Sequence, residues 1–321
     1  MPLESSTGQG RAAQSVCAVL VTFNPDPATL ESAVAAASRQ VGELLLVDNG
    51  SSSESLAKTQ ATVDRYREAL PDRATVSLRA LGANRGLPVA FNTAIDLARD
   101  HRSQFLLLLD HDSILADGVV EALLHEYDRL SVRMPVGAVE AVNVEPAVLP
   151  TDDFLEGYLR RRGRVIEGGV TEEFLATNSG LLIPLAMFDR AGKFDESYFV
   201  DAVDFEFALR LRSLGWPIFR VPAARILHRR GEPAESHLGA VRWRLRRIAP
   251  QRHYYVGRET LRLSWRYARR YPLVALFLLS MPLRETALIL LFYPRRGPHL
   301  RALAVGMLHA ATGVRGPFSI Q

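Results

Sequence analysis

The sequence is poor in cysteine and lacks the common phosphate-binding glycine motifs. Cys17 is the single cysteine among 321 residues, so no disulfide can form within the chain, and this fits a reducing compartment. Cys17 lies in an apolar, strand-like run, and we interpret it as a core residue. Neither G-x-G-x-x-G nor G-x-x-x-x-G-K occurs, so neither a dinucleotide-binding Rossmann site nor a P-loop is indicated.

The sequence also lacks a long uninterrupted apolar run. Residues 1–14 are polar and have no apolar centre of the kind that a signal peptide needs, so we expect a disordered leader there. Two apolar runs, Pro272–Leu283 and Thr286–Pro294, both fall short of the roughly 20 residues of a membrane-spanning helix. Pro282 and two charged residues break them. They predict a helix pair that lies on or partly in a membrane, or else a helical hairpin buried against the rest of the chain or a second subunit.

Strands and helices alternate along the first half of the chain. The composition, 48% hydrophobic and 23% charged, is that of a globular protein with one large or two modest domains. We predict strands at Val16–Phe23, Glu43–Val47, Thr75–Leu78, Phe105–Leu109, Gly137–Val144 and Arg220–Leu227, and helices at Leu30–Ser38, Ser55–Leu70, Val89–Arg99 and Glu121–Leu130. This order of strand, loop and helix predicts a doubly wound α/β domain.

One predicted strand ends in two carboxylates. Phe105–Leu109 is apolar throughout, as expected of a strand buried on both faces, and Asp110-His111-Asp112 follows directly. Ligands of α/β proteins bind outside the carboxyl ends of strands. Two hard oxygen donors at i and i+2 suit Mg²⁺ or Mn²⁺, with substrate phosphates completing the coordination shell. The alternative is an ordinary polar turn.

Three further loops carry small or polar residues next to predicted strands and helices. Asp48-Asn49-Gly50 follows a strand, where a carboxylate can bind a base or ribose, although an ordinary turn with serine caps explains it as well. Asn84-Arg85-Gly86 precedes a helix, so its N–H groups and the guanidinium could bind a phosphate. Asn178-Ser179-Gly180 would let a substrate approach the backbone closely. An arginine-rich stretch at 160–164 is predicted to form a mobile loop or a small hairpin over the site.

A second group of acidic residues lies near residue 200. Asp201, Asp204 and Glu206 fall within six positions, more than helix capping requires. Asp204 would lie in the first turn of a helix that begins at Val203, where the helix dipole favours the ionised carboxylate. One of these acids could act as a general base; otherwise Asp204 caps the helix and the others are solvated. His228, at the end of a predicted strand, could bind a metal or phosphate, although a lone histidine there is usually incidental.

In their order along the chain, these residues resemble family 2 glycosyltransferases with the GT-A fold, specifically the bacterial rhamnosyltransferase branch. The matching pieces, within about residues 16–260, are Val21-Thr22-Phe23-Asn24-Pro25, Val47-Asp48-Asn49-Gly50-Ser51, Asn84-Arg85-Gly86, Leu109-Asp110-His111-Asp112-Ser113, Asn178-Ser179-Gly180, the stretch from Phe199 to Glu206, Leu227-His228-Arg229-Arg230-Gly231 and the stretch from Pro250 to Arg258. Two positions depart from the pattern: His111 stands where rhamnosyltransferases would carry Gln, and Val203-Asp204 replaces the family's common Glu-Asp pair.

The resemblance implies a fold and a set of site residues. The fold would be α/β, a doubly wound mixed sheet with a C-terminal helical extension. Donor-binding residues would be Thr22, Asn24, Asp48, Asn84, Arg85, Asp110 and Asp112. The metal ligands for Mg²⁺ or Mn²⁺ would be Asp110, Asp112 and His228, and Asp204 would be the catalytic base. Acceptor or sugar contacts would come from Asn178, Ser179, Gly180, Asp201 and Glu206.

The resemblance also implies an activity, an inverting sugar transfer from a nucleotide-diphosphate donor. The donor would be dTDP-L-rhamnose, with UDP-galactofuranose or a UDP-hexose as the nearest alternative, and the acceptor a glycan or lipid-linked saccharide of a cell-surface polysaccharide. Arginines and a metal suit the charge of the leaving diphosphate, and a carboxylate suits proton removal from a hydroxyl. The rival from another class is a non-catalytic, membrane-associated sugar-nucleotide binder, which would have no need of a base.

The charge of the chain is divided unevenly. Residues 1–208 hold 18 basic and 31 acidic residues, whereas residues 209–321 hold 21 and 4. From 242 to 271, arginines interleave with aromatic residues in a stretch we predict to be helical, which suits an anionic membrane surface; the domain before it argues against a nucleic-acid partner. We therefore expect a catalytic domain at 15–240 and a helical region at 241–321 that binds a membrane or forms a homo-oligomer. The protein would lie on the cytoplasmic face of the cell membrane.

Overall fold

The computed structural model describes residues 15–69, 74–144, 165–228, 234–238, 241–245 and 247–318. The strands are β1 Val16–Thr22, β2 Glu43–Asp48, β3 Thr75–Ala80, β4 Phe105–Asp110, β5 Ser113–Leu115, β6 Ala138–Val144, β7 Thr171–Glu173, β8 Leu181–Pro184, β9 Ile218–His228, β10 Ala234–Leu238 and β11 Val241–Leu245. The helices are α1 Pro27–Ser38, α2 Ser53–Ala69, α3 Leu87–Asp100, α4 Val119–Ser131, α5 Met187–Ala191, α6 Val203–Ser213, α7 Pro250–Tyr267, α8 Pro272–Phe292 and α9 Arg296–Thr312. The expected leader, the arginines at 160–164 and Arg229-Arg230-Gly231 lie outside the described residues.

The first half of the main sheet is parallel. Its strands lie in the order β3-β2-β1-β4, each parallel to its neighbour, with α1, α2 and α3 in the connections. The strands and helices predicted for this half are confirmed, with ends within three residues of the expected ones. The doubly wound prediction therefore holds here, because each helix returns the chain to start a parallel neighbour.

The second half of the sheet is mixed. β8 runs antiparallel between β4 and β6, β6 runs parallel to β9, and β5 and β7 both pair antiparallel with β9. The pairing of β5 with β9 places Ser113 opposite His228. The mixed α/β sheet is the expected fold class, although the sequence did not predict the short strands β5 and β7.

Both faces of the sheet are covered by helices. Alternate residues of β1 point into different hydrophobic clusters: Cys17 and Val19 pack with α3 and α6, whereas Ala18 and Leu20 pack with α1 and α4. Cys17 is fully buried, as expected of a core residue. α7 adds Leu263 and α8 adds Leu278 to the first cluster, so both helices join the hydrophobic core on that face of the main sheet.

Two expectations for the C-terminal region were wrong. Residues 241–245 form the strand β11, paired antiparallel with β10, and not the start of a helix. Their alternation of apolar and charged residues is a strand pattern, which the basic and aromatic composition obscured. The two apolar runs form one helix, α8, which continues through Pro282. The charged pair does not break it because Arg284 and Glu285 bond to each other and Glu285 also meets His253 of α7.

Among the described residues, α8 is the one helix long and apolar enough to cross a membrane, judged by length and composition. Of its most apolar window, 39% is buried inside the protein. The helix therefore has one face packed on the protein and one face exposed.

Candidate active site

Three neighbouring strands bring predicted site residues to one end of the sheet. The register pairs Thr22 at the end of β1 with Asp48 at the end of β2, and Val21 with Asp110 at the end of β4. Thr22 Oγ1 donates a hydrogen bond to Asp48 Oδ2 at 3.0 Å. Thr22 and Asp48 are both buried, and Asp110 is partly exposed. The structure thus brings these three together, as the parallel strand order requires.

The Asp48 carboxylate orders the loop that follows β2. Its Oδ1 accepts the backbone N–H groups of Gly50 and Ser51 at 3.1 and 3.0 Å. The loop after β1 is tied to the same segment, because the Asn24 amide oxygen accepts the N–H of Ser52 at 2.9 Å and the Asn24 N–H donates to Ser51 Oγ at 2.7 Å. The side chains of Asp48 and Asn24 therefore both bond to backbone groups of the loop that was expected to bind a nucleotide base.

Asn49 joins this loop to the predicted phosphate-binding loop. Its side-chain nitrogen donates to Asn84 Oδ1 at 3.1 Å, and its oxygen accepts the N–H of Arg85 at 2.9 Å. Gly50, at φ +88°, lies so close that a Cβ there would stand 2.3 Å from the carbonyl carbon of Ala83. The side chains of Asn84 and Arg85 are exposed. The Arg85 guanidinium is thus exposed on a loop whose backbone is held by the side chain of Asn49.

Ser179 supports the loop that carries Asp110 and Asp112. Its hydroxyl lies 2.6 Å from that of Ser113 and accepts the backbone N–H of Asp110 at 3.4 Å. Gly180 donates its N–H to the carbonyl oxygen of Leu108 at 2.8 Å. The triplet that was predicted to contact the sugar therefore lies beside the metal motif and holds its backbone. The neighbouring Asn178 is buried, and its Oδ1 has no hydrogen-bond partner among the described residues.

Arg252 of α7 brings the second acidic group to the same centre. Its Nε donates to Asp201 Oδ1 at 3.0 Å, and its Nη2 lies 2.8 Å from the same oxygen. The negative charge of Asp201, with smaller contributions from Asp110 and Asp204, raises the pKa of the Arg252 guanidinium. Burial raises the pKa of Asp201, and Arg252 opposes that shift. One guanidinium therefore lies in the field of three carboxylates that come from β4 and from the segment around α6.

Asp204 lies in the first turn of α6, as predicted. The helix begins after Ala202, which adopts a left-handed conformation at φ +58°. Asp201 and Asp204 flank this sharp entry to the helix, and the charges of both raise the pKa of Arg252. The helix N-terminus favours the ionised form of a carboxylate in this position, which is the form that accepts a proton.

Glu206 is placed differently from the prediction, whereas the backbone of His228 lies beside the predicted metal motif. Glu206 is buried and forms an ion pair with Arg210 at 2.8 Å, and Arg266 approaches it to 3.4 Å. It therefore points into the protein, away from the residues gathered around Arg252, because residues two apart on a helix face different sides. His228 is placed by its backbone opposite Ser113, the residue after Asp112.

The donor set fits a divalent metal supported by a substrate. Asp110 and Asp112 supply two carboxylates at the end of β4, and Mg²⁺ and Mn²⁺ are held in such sites by one or two carboxylates together with substrate phosphates. Within the described part of the chain, no group of three His, Cys, Asp or Glu side chains is assembled to hold an ion by itself.

Residue-by-residue reasoning missed three contributors, Arg252, Asn49 and Glu259. Arg252 was assigned to the membrane-facing stretch. Its partner Asp201 lies 51 residues away along the chain, so the sequence does not show that the two meet. Asn49 bonds to the side chain of Asn84 and the N–H of Arg85, and Glu259 accepts the N–H groups of Phe199 and Asp201. The signal that could have found Arg252 is its position within the family-like segment from Pro250 to Arg258, and Glu259 directly follows that segment.

Comparison with known proteins identifies the class. The model of the family described as glycosyl transferase family 2 matches residues 17–181, just over half of the chain. The chain therefore belongs to glycosyl transferase family 2 and is a glycosyltransferase with a GT-A fold. A dTDP-rhamnosyl transferase of Shigella flexneri, RfbF, is 25% identical over 250 residues, covering 78% of this chain and 79% of the relative.

One solved structure supports the fold, and a second match is weaker. A structure of GalNAc-T7 with UDP, GalNAc and Mn²⁺ matches 67% of this chain at a TM-score of 0.52 and 17% identity. A structure of TarS from S. aureus covers 94% of this chain at a TM-score of 0.48 and 15% identity. This chain spans 44% of the length of each of those two chains.

Proposed function

We propose that this glycosyltransferase moves L-rhamnose from dTDP-L-rhamnose to a hydroxyl group of a glycan or lipid-linked saccharide, with inversion at the sugar carbon, in the synthesis of a cell-surface polysaccharide. The observation that carries the proposal is the meeting of Thr22, Asp48 and Asp110 at the ends of adjacent parallel strands. Arg252 bonds to Asp201, three residues before the candidate base Asp204, and the charge of Asp110 also acts on that guanidinium. The name of the S. flexneri relative supports the choice of donor.

In this mechanism Asp204 takes the proton of the acceptor hydroxyl while its oxygen attacks the anomeric carbon of the donor sugar. The bond from that carbon to the diphosphate breaks, and the diphosphate leaves with the electron pair. Arg85 and Arg252 would supply the positive charge that stabilises the leaving group. A divalent metal held by Asp110 and Asp112 would add to this stabilisation. Thr22, Asp48 and Asn49 shape the floor on which the nucleotide rests.

A nucleotide titration tests the donor site. We expect dTDP to bind the wild-type protein more tightly than UDP and to require Mn²⁺. Asp112→Asn should weaken binding about tenfold or more, because it removes a metal-binding oxygen. Asp96→Asn is the matched control, since Asp96 is exposed and pairs with Lys193 on the surface. A preference for UDP would keep sugar transfer and change the donor, whereas absence of binding by both nucleotides would contradict the proposed donor site.

We also propose that the exposed face of α8 rests on an anionic membrane, which would bring the enzyme to a lipid-linked acceptor. Large apolar side chains exposed along this helix are Leu273, Leu276, Leu279, Leu283, Leu290 and Leu291. Four of them, at positions 276, 279, 283 and 290, recur at helical spacing and so form one stripe. Exposed arginines flank the helix at Arg269 and Arg270 and at Arg295 and Arg296. An apolar stripe between basic ends matches the surface of an anionic bilayer.

Vesicle sedimentation tests the membrane proposal. We expect the protein to sediment with vesicles that contain phosphatidylglycerol and less with vesicles of phosphatidylcholine alone. Replacing Leu276, Leu279 and Leu283 together by Gln should abolish sedimentation, while Leu214→Gln, at a leucine 51% exposed elsewhere on the surface, should not. Recovery of the wild-type protein in the supernatant would contradict the proposal. A triple variant that turns a dimer into a monomer, with no vesicle binding by the wild type, would assign the stripe to a second copy of the chain.

A further inference from the structure

A buried carboxylate of the C-terminal helix α7 holds the segment that carries the acidic residues of the site. Glu259 is fully buried. Its Oε1 accepts the backbone N–H of Phe199 at 2.6 Å, and its Oε2 accepts the N–H of Asp201 at 2.7 Å, with the N–H of Val200 at 3.4 Å. Successive backbone N–H groups of one loop therefore converge on a single side chain from 58 residues further along the chain.

The same segment is fixed from its other side by the phosphate-binding loop. The carbonyl oxygen of Phe199 accepts the N–H of Leu87, the first residue of α3, at 2.7 Å. A Cβ on Gly86 would stand 2.9 Å from that carbonyl oxygen, so only glycine permits this approach. The Phe199 ring also stacks on Tyr255 of α7 at 4.8 Å between ring centres. The segment thus lies between α3 and α7, and each contributes contacts to it.

A buried carboxylate is costly unless its charge and its lone pairs are satisfied. Here the charge is balanced by Arg258, whose Nη2 lies 2.9 Å from Glu259 Oε1 and which is itself fully buried. Arg258 in turn donates to Tyr254 Oη at 3.1 Å and to the carbonyl oxygen of Gly316 at 2.7 Å. An apolar residue at position 259 would leave the loop N–H groups without acceptors. The arrangement therefore suits a carboxylate that fixes a backbone.

We infer that Glu259 is a positioning residue, which holds the backbone of Phe199 to Asp201 so that Asp201 and Asp204 stay directed at the reaction centre. The inference rests on the proposed function, because it takes Asp204 as the base. Glu259 acts through the loop and touches no reacting atom. Arg252, seven residues earlier on α7, binds the side chain of Asp201. One C-terminal helix therefore holds this segment by both its backbone and its side chain, and the catalytic centre is shared between the sheet and α7.

Hydrogen exchange tests the contact without any substrate. In the wild-type protein the amides of Phe199 and Asp201 should exchange slowly. Glu259→Gln replaces one carboxylate oxygen by an amide NH2 group, which cannot accept a hydrogen bond. One of the two backbone amides therefore loses its acceptor and should exchange faster, while the amides of β1 to β4 stay protected from exchange. Ser264→Ala is the control: Ser264 is buried in the same helix but donates to Ala275 of α8, so this variant should leave the exchange of the segment unchanged. Fast exchange of both amides in the wild type would overturn the inference.

Turnover tests the consequence for catalysis. We expect Glu259→Gln to lower kcat about tenfold to a hundredfold while the donor KM and nucleotide affinity stay within about twofold, because displaced catalytic groups slow the chemical step more than binding. Glu259 would be merely structural if its variant lost donor affinity as strongly as kcat. The same would follow if Ser264→Ala lowered kcat by as much as Glu259→Gln does. If the Gln variant fails to fold beside the unpaired Arg258, Glu259→Asp keeps the charge and shortens the reach, and the same split is expected.

Failure of the inference is distinguishable from failure of the proposed function. A wild-type protein that turns over no nucleotide sugar would contradict the proposed function, and the exchange of the Phe199 and Asp201 amides would still decide whether Glu259 holds the segment. Turnover that is normal in Glu259→Gln, with wild-type donor use intact, would overturn the inference alone.

Discussion

The two halves of the catalytic centre are built by different means. On the donor side, Thr22, Asp48 and Asp110 end adjacent parallel strands, and their loops are ordered by short-range hydrogen bonds. On the base side, the segment around Asp201 has no strand to support it and depends on α7. The donor side is therefore placed by the order of the sheet strands, with Ser179 adding a long-range contact, whereas the base side is placed by a helix more than fifty residues further along the chain. This difference predicts where single substitutions act.

The largest effect should come from the base itself. Asp204→Asn removes the proton acceptor and preserves the shape of the side chain, so turnover should fall by roughly 10²–10⁴-fold while donor binding survives. Steady-state rates and a nucleotide titration on the same preparation measure both quantities. Asp96→Asn serves as the surface control. Undiminished transfer by the Asp204 variant would show that the base side of the comparison has been wrongly assigned.

On the donor side, the largest loss of nucleotide binding should come from a substitution that moves the loop backbone. Gly50→Ala would place a methyl group 2.3 Å from the backbone of Ala83, which forces apart the loops that present Asp48 and Arg85, so nucleotide affinity should be largely lost. Gly82→Ala is a matched control, because Gly82 also has a positive φ, +75°, but nothing lies within 4 Å of its added Cβ. The control should cost about 1–2 kcal/mol of stability and keep nucleotide binding. Equal nucleotide affinity in the two variants would contradict the close-approach argument.

The smallest effect expected is a pH dependence of stability from the second half of the sheet. Glu140 is fully buried; burial raises its pKa from 4.5 to about 7, Glu173 adds to the shift, and Arg220, 2.7 Å away, opposes it. Between these two pKa values the native state binds more protons than the unfolded state. The free energy of unfolding should therefore fall as pH rises from about 5 to 7, by up to about 1.4 kcal/mol per pH unit from this group.

Urea unfolding of the wild type and of Glu140→Gln between pH 5 and 8 isolates this group. The difference in unfolding free energy between the two proteins should shrink or reverse as pH rises and should level off above pH 8. Glu259, whose pKa burial also raises to about 7, contributes the same sign to both proteins and cancels in the difference. A difference that is independent of pH would show that Glu140 is ionised throughout this range.

Local periodicity was sufficient to predict the parallel half of the fold. Apolar strands such as Phe105–Asp110, alternating with helices, specify which residues lie at strand ends, and so Asp48 and Asp110 could be placed there from the sequence, whereas Thr22 was named by the resemblance to the family. The same reasoning predicted Asp204 in the first turn of its helix, because a new helical pattern begins at Val203.

Local periodicity could not predict the rest of the site, for identifiable physical reasons. Glu206 looked like a third acid of the site, but its ion pairs with Arg210 and Arg266 depend on which side of the helix is buried. α8 was expected to be broken, yet packing against α7 keeps it continuous through Pro282. Glu259 and Arg252 act across 58 and 51 residues of chain, and no repeat or spacing in the sequence encodes such distances.

The stereochemistry of transfer tests the central claim most directly. A single carboxylate base, Asp204, acting on the acceptor hydroxyl implies one displacement at the anomeric carbon. Proton NMR of the product formed early in the reaction with dTDP-L-rhamnose and Mn²⁺ would give the anomeric configuration of the transferred sugar. The account predicts a configuration opposite to that of the donor. Retention of the donor configuration, with Asp204→Asn as active as the wild type, would contradict it.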